Sequence, residues 1–127
     1  MLVNARTGGI VARDVELADT RATRRRGLLG RPGLDPAAAL VISPCFSIHT
    51  FFMQFPIDVI FVNRDGVAVR IVHNLPPGRM ATSFRARAVI ELAAGGLKER
   101  DVQVGDRLYL AAREAVPGTA VSWPIPA

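Results

Sequence analysis

The sequence predicts a mostly β (α+β) fold: a small, single-domain β-barrel or sandwich-like structure with one short N-terminal helix packed on it. Three observations carry this reading. Six or seven short runs rich in Val, Ile, Phe and Thr recur at regular spacing. Turn chemistry such as Asn63-Arg64-Asp65-Gly66 separates them, and only the stretch around Arg21 carries a helix start and stop. The chain has 127 residues, enough for one domain with its own core.

Ile10 to Leu17 reads as a first strand from its β-branched residues and partial alternation. Asp19 or Thr20 can cap a helix over Arg21 to Leu29, stopped by Gly30 and Pro32. Ala39 to Ser43 is a short apolar strand ended by Pro44, and Ser47 to Met53 is extended until Pro56. Ile57 to Val62 is the strongest strand. Both of its faces are apolar apart from Asp58, which places it in the middle of a sheet or barrel wall. Asn63 to Gly66 turns the chain, and Val67 to His73 returns as its partner, with Val67, Val69, Ile71 and His73 on one face. Leu75 to Arg79 is a Pro-rich loop, Ala86 to Ala93 a strand, Gly95-Gly96-Leu97 a single helical turn, and Arg107 to Ala111 the last strand. No repeat or linker divides the chain, so residues 1–115 form one domain and 116–127 a Pro-rich tail.

Composition narrows the function classes. Half of the residues are hydrophobic and 21% are charged, which excludes disorder. A single cysteine, Cys45, excludes an intrachain disulfide. No apolar run has the length of a membrane span, and the N-terminus lacks a charged start followed by an apolar block. The default expectation is a cytoplasmic protein with a reduced thiol. The net charge is +5, carried almost wholly by arginine, since Lys98 is the one lysine. Guanidinium forks suit carboxylate or phosphate, so a small anionic or polar ligand is the expected partner, although a GC-rich genome yields the same composition. At 6% aromatic the chain supplies a poor platform for stacked bases, which argues against nucleic acid.

Asp58 is the most informative side chain, because a carboxylate in an apolar strand needs a charge partner or several donors. It is read either as a general base or ligand-binding group, or as an anchor for an arginine of the early helix or a cap on the turn after Pro56. His49 follows Cys45 by four residues, but no paired metal-ligand spacing exists, so neither a metal nor any other cofactor is expected. A Cys45–His49 nucleophile pair would need a turn between them, since on a strand they stand about 13 Å apart. Arg21, Arg24, Arg25 and Arg26 crowd the start of the expected helix, where cations oppose the dipole unless acidic groups or an external anion compensate. Phe46, Phe51, Phe52, Met53 and Phe55 lie within ten residues and read as core, with a pocket wall or an exposed patch as alternatives. Alternation turns Glu91 away from Ile90 and Leu92, toward solvent or a polar pocket. Phosphate-loop and nucleophile-elbow motifs are absent.

Taken together, Arg24-Arg25-Arg26-Gly27-Leu28-Leu29-Gly30-Arg31, the stretch Thr50 to Val62 with Asp65-Gly66, and Val89-Ile90-Glu91-Leu92 with Val104-Gly105-Asp106 resemble the ordered signature of a prokaryotic family known as domain of unknown function 192. The resemblance implies a mostly-β domain with the Arg-Gly-Leu helix packed against it, and no established activity. It maps the family's recurrent polar positions onto Arg24, Arg31, Asp58 and Glu91, with His49 matching a subset. Many relatives carry Trp-Met-Lys-Asn-Thr where this chain has Phe52-Met53-Gln54-Phe55-Pro56. The leading expectation is a non-catalytic binding or accessory domain. Arg24, Arg31, His49, Asp58 and Glu91 would converge on a small polar pocket walled by Phe52 and Met53. Its rivals are a small hydrolase or lyase with His49 and Asp58 as the acid/base pair, and a protein-interaction module using Phe51 to Phe55.

Overall fold

Ile57–Val62, the strongest strand signal in the sequence, is buried at every position and stands inside a five-stranded sheet. The computed structural model describes residues 1–112, so the Pro-rich stretch from Val116 onward lies outside the described residues. In chain order the elements are β1 (Leu2–Asn4), β2 (Ile10–Ala12), β3 (Asp14–Ala18), α1 (Arg21–Arg26), β4 (Ala38–Ile42) and β5 (Ser47–His49). There follow β6 (Ile57–Val62), β7 (Ala68–Leu75), β8 (Met80–Thr82), β9 (Ala88–Ala93), α2 (Gly96–Glu99) and β10 (Leu108–Leu110).

The central sheet has the order β3-β4-β9-β6-β7, and only the β3–β4 pair is parallel. A three-stranded sheet, β10-β1-β2, and a two-stranded ribbon, β5-β8, complete the fold. The mostly-β class therefore holds, but the sheets are open and no barrel closes. The edge strands β3 and β7 do not pair with each other, which leaves the sheet open, and the run Ile10 to Leu17 is not one strand: it breaks at Arg13, so β2 pairs with β1 while β3 pairs with β4. The chain switches sheets there.

Two apolar clusters sit on opposite faces of the central sheet. One joins Val41, Ile60, Val62, Ile90 and Leu92 to Leu2, Val11, Leu97, Leu108 and Leu110 from the small sheet and α2. The other joins Leu40, Ile42, Val59, Phe61 and Val89 to Leu28, Ile48, Met53 and Ala81, which come from the segment after α1, from the ribbon and from the loop that follows β5. Alternation along β6 and β9 assigns each side chain to one cluster or the other.

Three local features set up the site. Helix α1 is shorter than expected, because Gly27 takes a positive φ of 49° and ends it. Thr20 and Thr23 form a reciprocal cap, so Arg24, Arg25 and Arg26 fall in the last turn, where cations suit the dipole. For these three the dipole is favourable rather than opposed, while Arg21 stays in the first turn. The extended run Ser47 to Met53 stops at His49, and Phe52 takes a positive φ of 66°. The Asn63 to Gly66 turn forms as expected, with Asn63 Oδ1 accepting from the amides of Asp65 and Val67. Beyond it, β7 carries bulges against β6, which shift its facing from the simple alternation of Val67 to His73.

Candidate functional site

Glu91 occupies the middle of β9, paired across the ladder with Leu40 of β4 and Val59 of β6. Its side chain therefore lies on the face covered by α1 and the ribbon, and it is only 3% exposed. Among the described residues no hydrogen-bond donor or ion-pair partner reaches its carboxyl. Burial pushes its pKa up to about 7, with the positive charge of Arg31 pulling the other way. Gly27 passes close by, and a Cβ there would lie 3.8 Å from Glu91 Oε1.

Glu91 opens on a cleft of about 360 Å³. One wall is the end of α1 and the following turn, Arg24 to Leu29; the other is Pro44, Cys45 and β5, with Ile42 and Met53 below. Leu28, Leu29, Ile42, Ile48 and Met53 make its surface apolar, and Glu91 is its buried polar group. Arg24 Nη1 donates to the Asp19 carbonyl at 3.0 Å, whereas Arg25 and Arg26 are exposed and unpaired among the described residues. The Cys45 thiol donates to the Ser47 carbonyl at 3.2 Å, and burial, with Glu91's negative charge, pushes its pKa up. A raised thiol pKa leaves little thiolate, so Cys45 is a poor nucleophile.

Of the residues singled out in the sequence, Arg24, His49, Met53 and Glu91 line this cleft. Arg31 stands beside it, bound to Glu16 at 2.7 Å. Asp58 is elsewhere. It pairs with Leu92 of β9 and so projects to the opposite face of the sheet from Glu91. There it is fully buried, and no arginine among the described residues answers it. It accepts instead from the amides of Asn74 (2.9 Å), Gly95 (3.0 Å) and Leu97 (3.2 Å). Asn74 has a positive φ of 51° beside a β7 bulge, and Gly95 and Leu97 open α2. The expected guanidinium anchor is thus replaced by a backbone clamp that ties β6 to the bulge and to α2.

His49 is exposed and stacks on Phe51 with ring centroids 5.3 Å apart, so it forms no acid/base pair with Asp58. Phe52 is 90% exposed on a left-handed backbone and does not line this cleft. Of the aromatic cluster only Met53 is buried in the core, while Phe46 and Phe51 are exposed and Phe46 packs on exposed Phe84 at 5.6 Å. Sequence reasoning weighed Arg25 and Arg26 as part of a basic segment but did not place them in the site. Gly27 entered only as part of the family signature, and Ser47 was not singled out. The signal for the first three was the Arg-Gly-Leu segment itself; Ser47 left none.

Fold and cleft together define a small, open-sheet β domain with a half-apolar, arginine-walled recess. Residues 2–110 match the family DUF192, described as "Uncharacterized ACR", and the chain belongs to that family. Among curated relatives, a UPF0127 protein of Thermococcus sibiricus is 30% identical over 112 residues, spanning 85% of this chain and 73% of that protein. A UPF0127 protein of Thermococcus gammatolerans is 34% identical over 115 residues, spanning 84% and 72%. A crystal structure from Sinorhizobium meliloti 1021, described as a "putative transcription regulator", superposes with a TM-score of 0.69 at 29% identity, covering 74% of this chain and 78% of that one. A protein of unknown function from Novosphingobium aromaticivorans shares the fold, with a TM-score of 0.70 at 24% identity over 76% and 74% of the two chains. No helix among the described residues is long and apolar enough to cross a membrane.

Proposed function

We propose that this domain is a non-catalytic binding module whose cleft takes a small ligand with an anionic group and an apolar body. The supporting observation is Glu91: a carboxyl buried without a hydrogen-bond partner among the described residues, at the floor of a recess flanked by two arginines that also lack partners among them. A buried polar group left unsatisfied costs about 1–3 kcal/mol, and a carboxylate ligand that accepts the proton of neutral Glu91 in a hydrogen bond would recover much of that. Arg25 and Arg26 offer planar forks for carboxylate, and Leu28, Ile48 and Met53 offer apolar contact to the remainder of the ligand. A hydrolytic reading has less support. The thiol is held protonated, and His49 contacts Phe51 rather than a carboxylate.

The test is a thermal-shift and calorimetric comparison of succinate, glutarate and benzoate with their neutral amides. Carboxylates should raise the melting temperature and amides should not, and the Arg25→Ser/Arg26→Ser double variant should lose the response. Equal responses to acids and amides, or none to either, would refute the proposal.

A further inference from the structure

The ribbon strand β5 has one paired edge and one open edge. Its pairs with β8 are Ser47↔Thr82, Ile48↔Ala81 and His49↔Met80. The flanking bonds run from the Ser83 amide to the Phe46 carbonyl (2.9 Å) and from the Thr50 amide to the Arg79 carbonyl (2.8 Å). In an antiparallel ladder the bonded pairs alternate, so Phe46, Ile48 and Thr50 face β8. The backbone groups of Ser47 and His49 point the other way. Among the described residues no third strand joins this ribbon, and Ser47 and His49 line the cleft. The Ser47 carbonyl takes the Cys45 thiol as a weak donor; the two amides and the His49 carbonyl have no partner among the described residues. Neither lysine nor proline, the usual blunting residues of a strand edge, stands within Ser47–His49.

Resting on the anion-binding reading above, we infer that the occupant of this cleft is an extended acidic peptide segment that adds to β5 as a strand. Its backbone pairs with Ser47 and His49, and a carboxylate meets Arg25 and Arg26 on the facing wall. Three residues of β5 match an added strand of about 10 Å at 3.3 Å per residue. Such a strand gives its ladder bonds to one edge and alternates its side chains, so one of them reaches the apolar floor beside Glu91. A nucleic acid would satisfy the guanidinium groups but brings no backbone ladder for Ser47 and His49.

The experiment presents the full chain with a hexapeptide library that fixes two aspartates and a free C-terminus, alongside free succinate and a single-stranded oligonucleotide. The tightest peptides should bind at least about tenfold more strongly than succinate. N-methylation of the amides in one alternating register should weaken them about tenfold per bond lost, and methylation in the other register far less. The Arg25→Ser/Arg26→Ser variant should lose most of this binding. Peptides indifferent to N-methylation, or no tighter than succinate, would overturn strand addition and leave anion binding standing. Absence of binding by peptides and succinate alike would remove both readings. Oligonucleotide binding that competes with succinate would overturn the peptide as occupant.

Discussion

Asp58 and Glu91 stand on adjacent strands of one sheet, on opposite faces, and their burial is compensated in contrasting ways. Asp58 receives three backbone amides, so deleting it strands the amides of a bulge and of a helix start. Asp58→Ala should cost about 3 kcal/mol or more in urea denaturation, and Asp58→Asn, which keeps one acceptor, distinctly less. Glu91 behaves differently because no hydrogen bond or ion pair reaches its carboxyl among the described residues. Its folded pKa of about 7 lies above the ordinary 4.5, so the unfolded chain gives up this proton first. Stability from this group is fully present below pH 4.5 and declines as pH rises to about 7. The decline should reach about 3 kcal/mol, and Glu91→Gln should abolish it. Asp106 provides a contrast at the other end of the scale. Hydrogen bonding to Arg6 holds it down at about 2, so its contribution is present above 3.8 and fades only as pH falls toward 2. The two effects occupy separate windows and can be read in one pH series.

At the scale of elements, the segment after β5 shows how closely neighbouring residues can diverge. Met53 is buried in the apolar cluster under the ribbon, whereas Phe52, one residue earlier, is exposed on a left-handed backbone. Met53→Ala should therefore cost about 2–4 kcal/mol in denaturation, while Phe52→Gly should be neutral or stabilise by up to about 1 kcal/mol. That outcome would confirm that the aromatic run is not one core block. The strand Ile57–Val62, the turn after it and the helical turn at Gly96 were legible because period, β-branching and glycine placement all agreed. Strands β1 and β8, three residues each, carry too little pattern to stand out, and the break at Arg13 is imposed by tertiary pairing rather than by any local breaker. The site was half legible for a related reason. Alternation gave the direction of Glu91 relative to its neighbours, but which face of the sheet meets α1 is set by packing, so Asp58 and Glu91 could not be told apart in sequence.

At the scale of the whole molecule, the cleft lies where three separate parts of the chain meet: α1, β5 and β9. A ligand seated there therefore couples its own binding to the protonation of Glu91. Ionised Glu91 repels an anion, and the neutral acid does not, so affinity for succinate should rise as pH falls through about 7. The other charged or titratable groups on the cleft are Arg24, Arg25, Arg26, Cys45 and His49, with Arg31 alongside. Burial raises the Cys45 thiol, which favours its neutral form. The comparison is made in a His49→Asn background, which removes the histidine that lines the cleft. Calorimetry in that background should show tighter binding at about pH 5.5 than at about pH 8.5, by roughly tenfold. Glu91→Gln should bind at both pH values with the affinity of the low-pH form. A pH-independent affinity in the His49→Asn protein, or a dependence that survives Glu91→Gln, would mean that the buried carboxyl does not face the bound anion, and the cleft would lose its floor as a recognition element.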